Sequence, residues 1–135
     1  MNSRLDTIQA IILNEKLKNL NKLNLKRQKI AKRYDNEITN KKIIKIRYSK
    51  SCVYHQYIIL VKNRKKLTNL LSNNDIQYGY HYPFSINQLK VFKRYFLKKK
   101  FVNAEKLARE GLSMPIDPNL TVKQVSEIIR ILNNF

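Results

Sequence analysis

The chain has one cysteine, two glycines and three prolines in 135 residues, and nine acidic side chains against 28 basic ones. Its lone thiol, Cys52, excludes an internal disulfide and any zinc site built from several cysteines. One thiol without a cystine framework fits a reducing compartment. Gly79 and Gly111 stand too far apart to form a glycine-rich phosphate loop. No apolar run approaches the ~20 residues of a membrane-spanning helix. The N-terminus lacks a basic stretch followed by an apolar one, so no secretion signal is expected and a cytoplasmic location is the default. The length suits one domain.

The shortage of acids leaves a formal charge of +19 and a pI near 10.2. Such a balance points to nucleic acid or another anionic partner. Lys, Asn and Ile crowd the whole chain, however, as they do when a genome is rich in A and T. The basic residues run from Arg4 to Arg130 without forming a single block. Codon bias and a selected polyanion surface both remain open on composition.

What is present is organised around Val53 to Pro83, which reads as strand, helix and strand. Tyr57 to Val61 is an unbroken apolar run suited to a strand buried on both faces. Asn63 can cap a helix beginning at Arg64, because its side-chain oxygen can accept an orphan N–H of the first turn. Leu67, Leu70 and Leu71 give that helix one apolar stripe. Asn73 and Asn74 are expected to end it in the left-handed conformation that Asn tolerates. A second strand follows through Ile76 to Tyr80 and stops at Pro83.

Before this unit, Leu5, Ile8 and Ile12 share one helical face, and Leu13, Leu17 and Leu20 continue it. Ile30, Tyr34 and Ile38 repeat every four. The pattern predicts one long helix, or two nearly collinear ones, from about Leu5 to Ile38, with Asn2 and Ser3 as the available caps. Its polar face carries Lys16, Lys18, Lys22, Lys26, Arg27, Lys29, Lys32 and Arg33. That face is either simply solvated or turned to a membrane surface or a calmodulin-like partner. Lys42 to Tyr48 reads as a strand.

After Pro83, a helix is expected over Gln88 to Leu97. Another is expected over Ala104 to Glu110, capped by Asn103, closed by Gly111 and braced by a Glu105–Arg109 pair. Leu112 to Pro115 is a brief extended piece. Thr121 and Gln124 form a capping box, with Leu120 and Val125 placed as a hydrophobic staple. Val122, Val125, Ile128, Ile129 and Leu132 form the apolar face of the last helix. The fold class is α+β, a small sheet with helices packed against it.

The chemistry on offer is sparse. His55 and His81 stand alone, without Cys/His spacing for a metal, and no nucleophile has a base and an orienting acid in sequence. His55 beside a strand reads as a structural histidine. His81 sits at a strand end before Tyr82 and Pro83, where clefts often form. The aromatic residues fall on apolar stripes, leaving few stacking platforms for nucleic acid.

Four stretches carry a resemblance: NSRLDTIQAIILNEKL, VYHQYIILVKNRKKL, IQYGYHYPFS and NAEKLAREGLSMPIDPNLT. In this order and at similar spacing they resemble the DegT/DnrJ/EryC1/StrS aminotransferases. These are fold-type I enzymes that use pyridoxal 5'-phosphate to put an amino group on nucleotide-linked keto sugars. Glutamate or glutamine is the donor, and the products serve polysaccharide and amino-sugar biosynthesis.

The resemblance implies that residues 1–38 are the end of a linking helix and residues 39–135 the small C-terminal α+β domain, its sheet mainly antiparallel. It also implies that the Schiff-base lysine and most of the cofactor domain lie upstream of the matching segment, so that this stretch supplies no catalytic residue and no metal ligand. Asn2 would reach the cofactor phosphate of the neighbouring subunit in a homodimer. Arg4, His81 and Tyr82 would face the sugar-nucleotide substrate. No membrane and no specific nucleic acid are implied as partners, whereas a separate N-terminal chain could be one. After HYPFS the chain has Ile86-Asn87-Gln88, where the family usually has a His followed by Leu or Lys and then Gln-Pro.

Overall fold

The computed structural model describes residues 5–49, 51–96 and 99–135. Helix α1 runs unbroken over Thr7–Glu37. Its cap is Asp6, whose carboxylate accepts the Gln9 N–H at 2.8 Å. The expected caps, Asn2 and Ser3, lie outside the described residues. Only Ile30, Ala31 and Tyr34 of this helix are buried. Leu5 ahead of it and the large apolar side chains of its first half, from Ile8 to Leu20, remain exposed.

Three antiparallel strands follow, β1 (Ile43–Lys45), β2 (Tyr57–Val61) and β3 (Gly111–Met114), with β2 in the middle. Ile43 pairs with Val61, and Tyr57 pairs with Met114. The unbroken apolar run of β2 resolves into alternation. Tyr57, Ile59 and Val61 are fully buried, while Ile58 and Leu60 are half-buried. The piece after Gly111 is therefore a sheet strand with all four residues buried, more than its sequence suggests. The second strand expected over Ile76 to Tyr80 contracts to one bridge between Gly79 and Ser113.

Helix α2 (Arg64–Ser72) starts where Asn63 caps it, the carboxamide accepting the Lys66 N–H at 3.2 Å. Its end differs from expectation: Asn73 is right-handed, and Asp75 takes the positive φ, at 54°. Beyond Pro83 the helix expected over Gln88 to Leu97 breaks into short turns. They are a 3-10 turn at Ile86–Gln88, a one-turn helix α3 (Lys90–Lys93) and a 3-10 turn at Arg94–Phe96. None of their residues is buried, so tertiary packing does not lengthen them.

Helix α4 (Val102–Glu110) begins at Phe101 rather than at an Asn103 cap. The Glu105 carboxylate takes the Phe101 N–H at 3.2 Å. Arg109 pairs with Glu110 at 2.9 Å, not with Glu105. Gly111 closes α4 in an extended conformation, not a left-handed one. Its glycine requirement is close approach: a Cβ there would lie 2.4 Å from the Leu107 carbonyl oxygen.

Helix α5 (Val122–Asn133) carries the Thr121–Gln124 capping box as expected, with Val125 buried and Leu120 packed on the core. Val122 is 76% exposed, and Ile131 takes a place in the core face. Helix α5 also closes α1. The Asn133 carboxamide accepts the Thr39 N–H at 2.8 Å and donates to the Glu37 carbonyl at 2.9 Å. The Arg33 guanidinium bridges Glu37 on α1 to Ser126 on α5. Four orphan carbonyls end every helix, and these contacts, with Lys45 Nζ donating to the Asp35 and Ile38 carbonyls, take up much of that demand at α1.

Candidate functional site

The site is built on the bridge between Gly79 and β3. Each residue donates to the other: Gly79 N–H to the Ser113 carbonyl at 3.1 Å, and Ser113 N–H to the Gly79 carbonyl at 2.8 Å. This brings the chain after α2 alongside a buried strand. His81 then folds back over Gly79, and its Nδ1 lies 2.8 Å from Ser113 Oγ. A Cβ on Gly79 would stand 2.8 Å from His81 Cε1, so the missing side chain is what admits the imidazole. Ser113 is buried, 7% exposed, and His81 is half-buried. The histidine therefore has one nitrogen anchored to the sheet. Anchoring one ring nitrogen in this way constrains what the other can do.

Tyr82, the neighbour of His81, is 72% exposed, its ring edge-on to the imidazole at 5.7 Å. On the other side, Tyr80 stacks under the Arg64 guanidinium at 4.6 Å. Arg64 in turn donates to the carbonyls of Ala108 at 2.7 Å and Gly111 at 3.1 Å. One side chain thus ties α2, the junction of α4 with β3, and the segment leading into His81. Sequence inspection shows Arg64 only as the first residue of a helix and Ser113 only as part of an extended piece. The signal for Ser113 is the pairing of IQYGYHYP with GLSMP across the chain, which no local period reveals. Of the residues expected to face substrate, His81 and Tyr82 are adjacent here. Asn2 and Arg4 lie outside the described residues. His55 is exposed, not a core histidine.

After Pro83 the chain presents Phe84, Ile86, Val91 and Tyr95 to solvent, beside Lys90, Lys93 and Arg94. Exposed rings are therefore more numerous than the apolar stripes suggest, that of Tyr95 lying under the Arg94 guanidinium at 4.8 Å. The segment is held to the start of α4 by side chains, the Phe96 ring meeting that of Phe101 edge-on at 5.4 Å. Ser85 N–H donates to the Gln88 carboxamide oxygen at 3.1 Å, and Asn87 donates to Glu105 at 2.8 Å. The Phe101 N–H and then the Asn87 carboxamide hold the Glu105 carboxyl below its ordinary range. Ile86-Asn87-Gln88, the departure noted above, thus helps attach this loop to α4.

Residues 1–133 match the profile of the DegT/DnrJ/EryC1/StrS aminotransferase family. The chain belongs to that family. Among relatives of this DegT-family chain is the dTDP-3-amino-3,6-dideoxy-alpha-D-galactopyranose transaminase of Aneurinibacillus thermoaerophilus. It is 31% identical over 137 residues, covering 100% of this chain and 38% of the relative. Among solved structures, DesV of S. venezuelae in complex with a ketimine intermediate superposes with a TM-score of 0.91 at 26% identity. That match covers 99% of this chain and 37% of DesV. NtdA from Bacillus subtilis with bound cofactor PMP shares the fold, with a TM-score of 0.84 at 24% identity, over 99% of this chain and 33% of NtdA. The chain thus spans well under half the length of the relatives it matches.

The cofactor implied by the family does not fit the side chains in hand. Pyridoxal phosphate chemistry needs a lysine held against the cofactor in a sheltered site. Among the described residues, the buried polar or charged side chains are Thr68, Ser85, Glu110 and Ser113, and every lysine is at least partly exposed. No group of three or more potential metal ligands occurs among the described residues. Nor is any described helix long and apolar enough to cross a membrane.

Proposed function

We infer that this chain is the C-terminal part of a pyridoxal-phosphate-dependent aminotransferase. It would act on nucleotide-linked keto sugars with glutamate or glutamine as donor. The observation that carries this reading is the continuous family match over residues 1–133, set against 37–38% coverage of the relatives. On this reading residues 1–38 link to a larger cofactor domain, and residues 39–135 form the small domain. His81 and Tyr82 face the sugar nucleotide, with Arg4 beside them, and Asn2 reaches the cofactor phosphate of a second subunit in a cytoplasmic homodimer. The catalytic lysine belongs to the cofactor domain, so the 135 residues alone carry out no transamination.

Two exposed surfaces support a missing partner domain. One is the apolar face of α1 from Ile8 to Leu20, and the other is the apolar and aromatic segment from Tyr82 to Tyr95. Contiguous apolar patches of this kind commonly mark interaction surfaces. A second reading, a small basic binding protein for nucleic acid or another polyanion, draws on the same exposed rings, since Tyr82, Phe84 and Tyr95 are exposed in the chain segment that also carries Lys90, Lys93 and Arg94.

One experiment separates the two. The chain is incubated alone with pyridoxal phosphate, reduced with borohydride and peptide-mapped, then co-expressed with a cofactor domain of the same family. The enzyme reading expects no single stoichiometrically labelled lysine in the chain alone. It expects copurification and gained cofactor binding in the pair, with His81→Ala weakening sugar-nucleotide binding. One fully labelled lysine in the isolated chain would sink it. So would failure to copurify together with nucleic-acid binding that survives ~200 mM salt, where nonspecific contacts fade.

A further inference from the structure

Four lysines from three separate parts of the chain converge on one cleft. Lys41 and Lys42 precede β1, Lys62 follows β2, and Lys66 lies in the first turn of α2. With Ile44, Val61, Asn63 and Phe135 they line a space of about 550 Å³. No carboxylate side chain is among these lining residues. In the cleft that holds Lys123 the charge is offset by Asp75 and Glu127, and in the one lined by Lys26, Lys29 and Arg33 the arginine pairs with Glu37. Random lysine enrichment spreads charge evenly, whereas here half of the lining residues are lysine.

The Phe135 ring forms the shared floor. Lys42 Nζ and Lys66 Nζ each lie 5.8 Å from its centroid, so the two ammonium groups are at most twice that distance apart. Lys42 donates one proton to the Phe135 terminal oxygen at 3.2 Å, so in the 135-residue chain one carboxylate offsets one of the four lysine charges, and the Lys42 ammonium has two more protons to give. The first turn of α2 opens beside them. Asn63 takes the Lys66 N–H, which leaves the earlier amides of that turn for another acceptor. Lysines beside β1 alone would be explained as guards of an exposed sheet edge. Lys62 and Lys66 lie off that edge, beyond β2 and on α2.

We propose that this cleft is a binding site for a compact polyphosphate anion, with Lys41, Lys42, Lys62 and Lys66 as its charged donors. Several cations lining one cleft repel one another. A ligand with adjacent phosphoryl groups relieves that repulsion and uses the free ammonium protons. Phosphate also suits the open turn of α2, where aligned amides attract anions. The site shares no residue with the His81 cluster and does not depend on the aminotransferase reading.

The test is isothermal titration of the full 135-residue chain with inorganic tripolyphosphate at ~150 mM salt, where the Debye length is about 8 Å. Amide chemical shifts are followed in parallel. Lys42→Ala/Lys66→Ala is expected to weaken binding by about tenfold or more, and Lys16→Ala/Lys22→Ala, which removes the same charge from α1, by less than about twofold. Lys42→Gln/Lys66→Gln, with matching thermal melts, guards against a folding defect. Shifts should centre on residues 62–66. Equal weakening by the two double variants, shifts spread along α1, or no binding to the unaltered chain each overturn the site.

Discussion

The Tyr57 hydroxyl donates a 2.6 Å hydrogen bond to the Asp35 carboxylate, joining the middle strand of the sheet to the long helix. The Tyr57 ring also packs 5.0 Å from that of Tyr34, which donates in turn to the Pro115 carbonyl at 2.8 Å. Two phenols thus connect α1, β2 and the end of β3 inside the core. Removing the Tyr57 hydroxyl should show how much this connection contributes. Tyr57→Phe keeps the ring and loses a bond to a charged acceptor, so it should lower unfolding free energy by about 1.5–3 kcal/mol. Urea unfolding of the two proteins checks this, and an unchanged midpoint would mean that the bond adds nothing beyond packing.

The same pair predicts sensitivity to alkali. Burial raises the Tyr34 pKa well above its ordinary 10.0. Burial first, and then the Asp35 hydrogen bond, does the same for Tyr57. A group whose folded pKa is raised contributes stability that is complete below its unfolded pKa and is lost as pH rises beyond it. Stability should therefore hold up to about pH 10 and fall above it as the unfolded chain releases these protons. Denaturant unfolding across that range measures the slope. Tyr34→Phe/Tyr57→Phe should flatten it, and an equally steep decline in the double variant would assign the alkaline loss to other groups.

At the candidate site, Gly79→Ala should dislodge His81 without unfolding the sheet. The three atoms nearest the added methyl all belong to the imidazole, the first 2.8 Å away, and the ring can swing aside at the cost of its Ser113 bond. Imidazole ¹⁵N shifts should then lose the asymmetry of a ring anchored at Nδ1, and Ser113→Ala should reproduce the change. If Gly79→Ala leaves those shifts as they are, the bridge accommodates a side chain and the glycine is not required for the imidazole.

Local chemistry made several elements legible in advance. The Asn63 carboxamide starts α2 and the Thr121–Gln124 pair starts α5, because a cap is decided by groups three residues apart. The apolar run of β2 and the long period of α1 were visible for the same reason, since a strand or helix repeats within a few residues. The four ordered stretches that resemble the DegT/DnrJ/EryC1/StrS aminotransferases were likewise readable from end to end.

Contacts between distant residues were not readable. The strand expected over Ile76 to Tyr80 kept a single bridge, because only Gly79 meets β3. The helix expected after Gln88 broke into short turns, none of whose residues is buried by the rest of the described chain. Ser113 reaches His81 across 32 positions, and Arg64 reaches Ala108 across 44. Arg109 chose the adjacent Glu110 while Glu105 turned to Asn87 and the Phe101 amide. In each case several partners satisfy the local rules, and the selection among them depends on which surfaces folding brings within hydrogen-bonding distance. Periodicity carries the first kind of information because it is set by backbone geometry, whereas the second exists only once β2, β3 and the helices have packed.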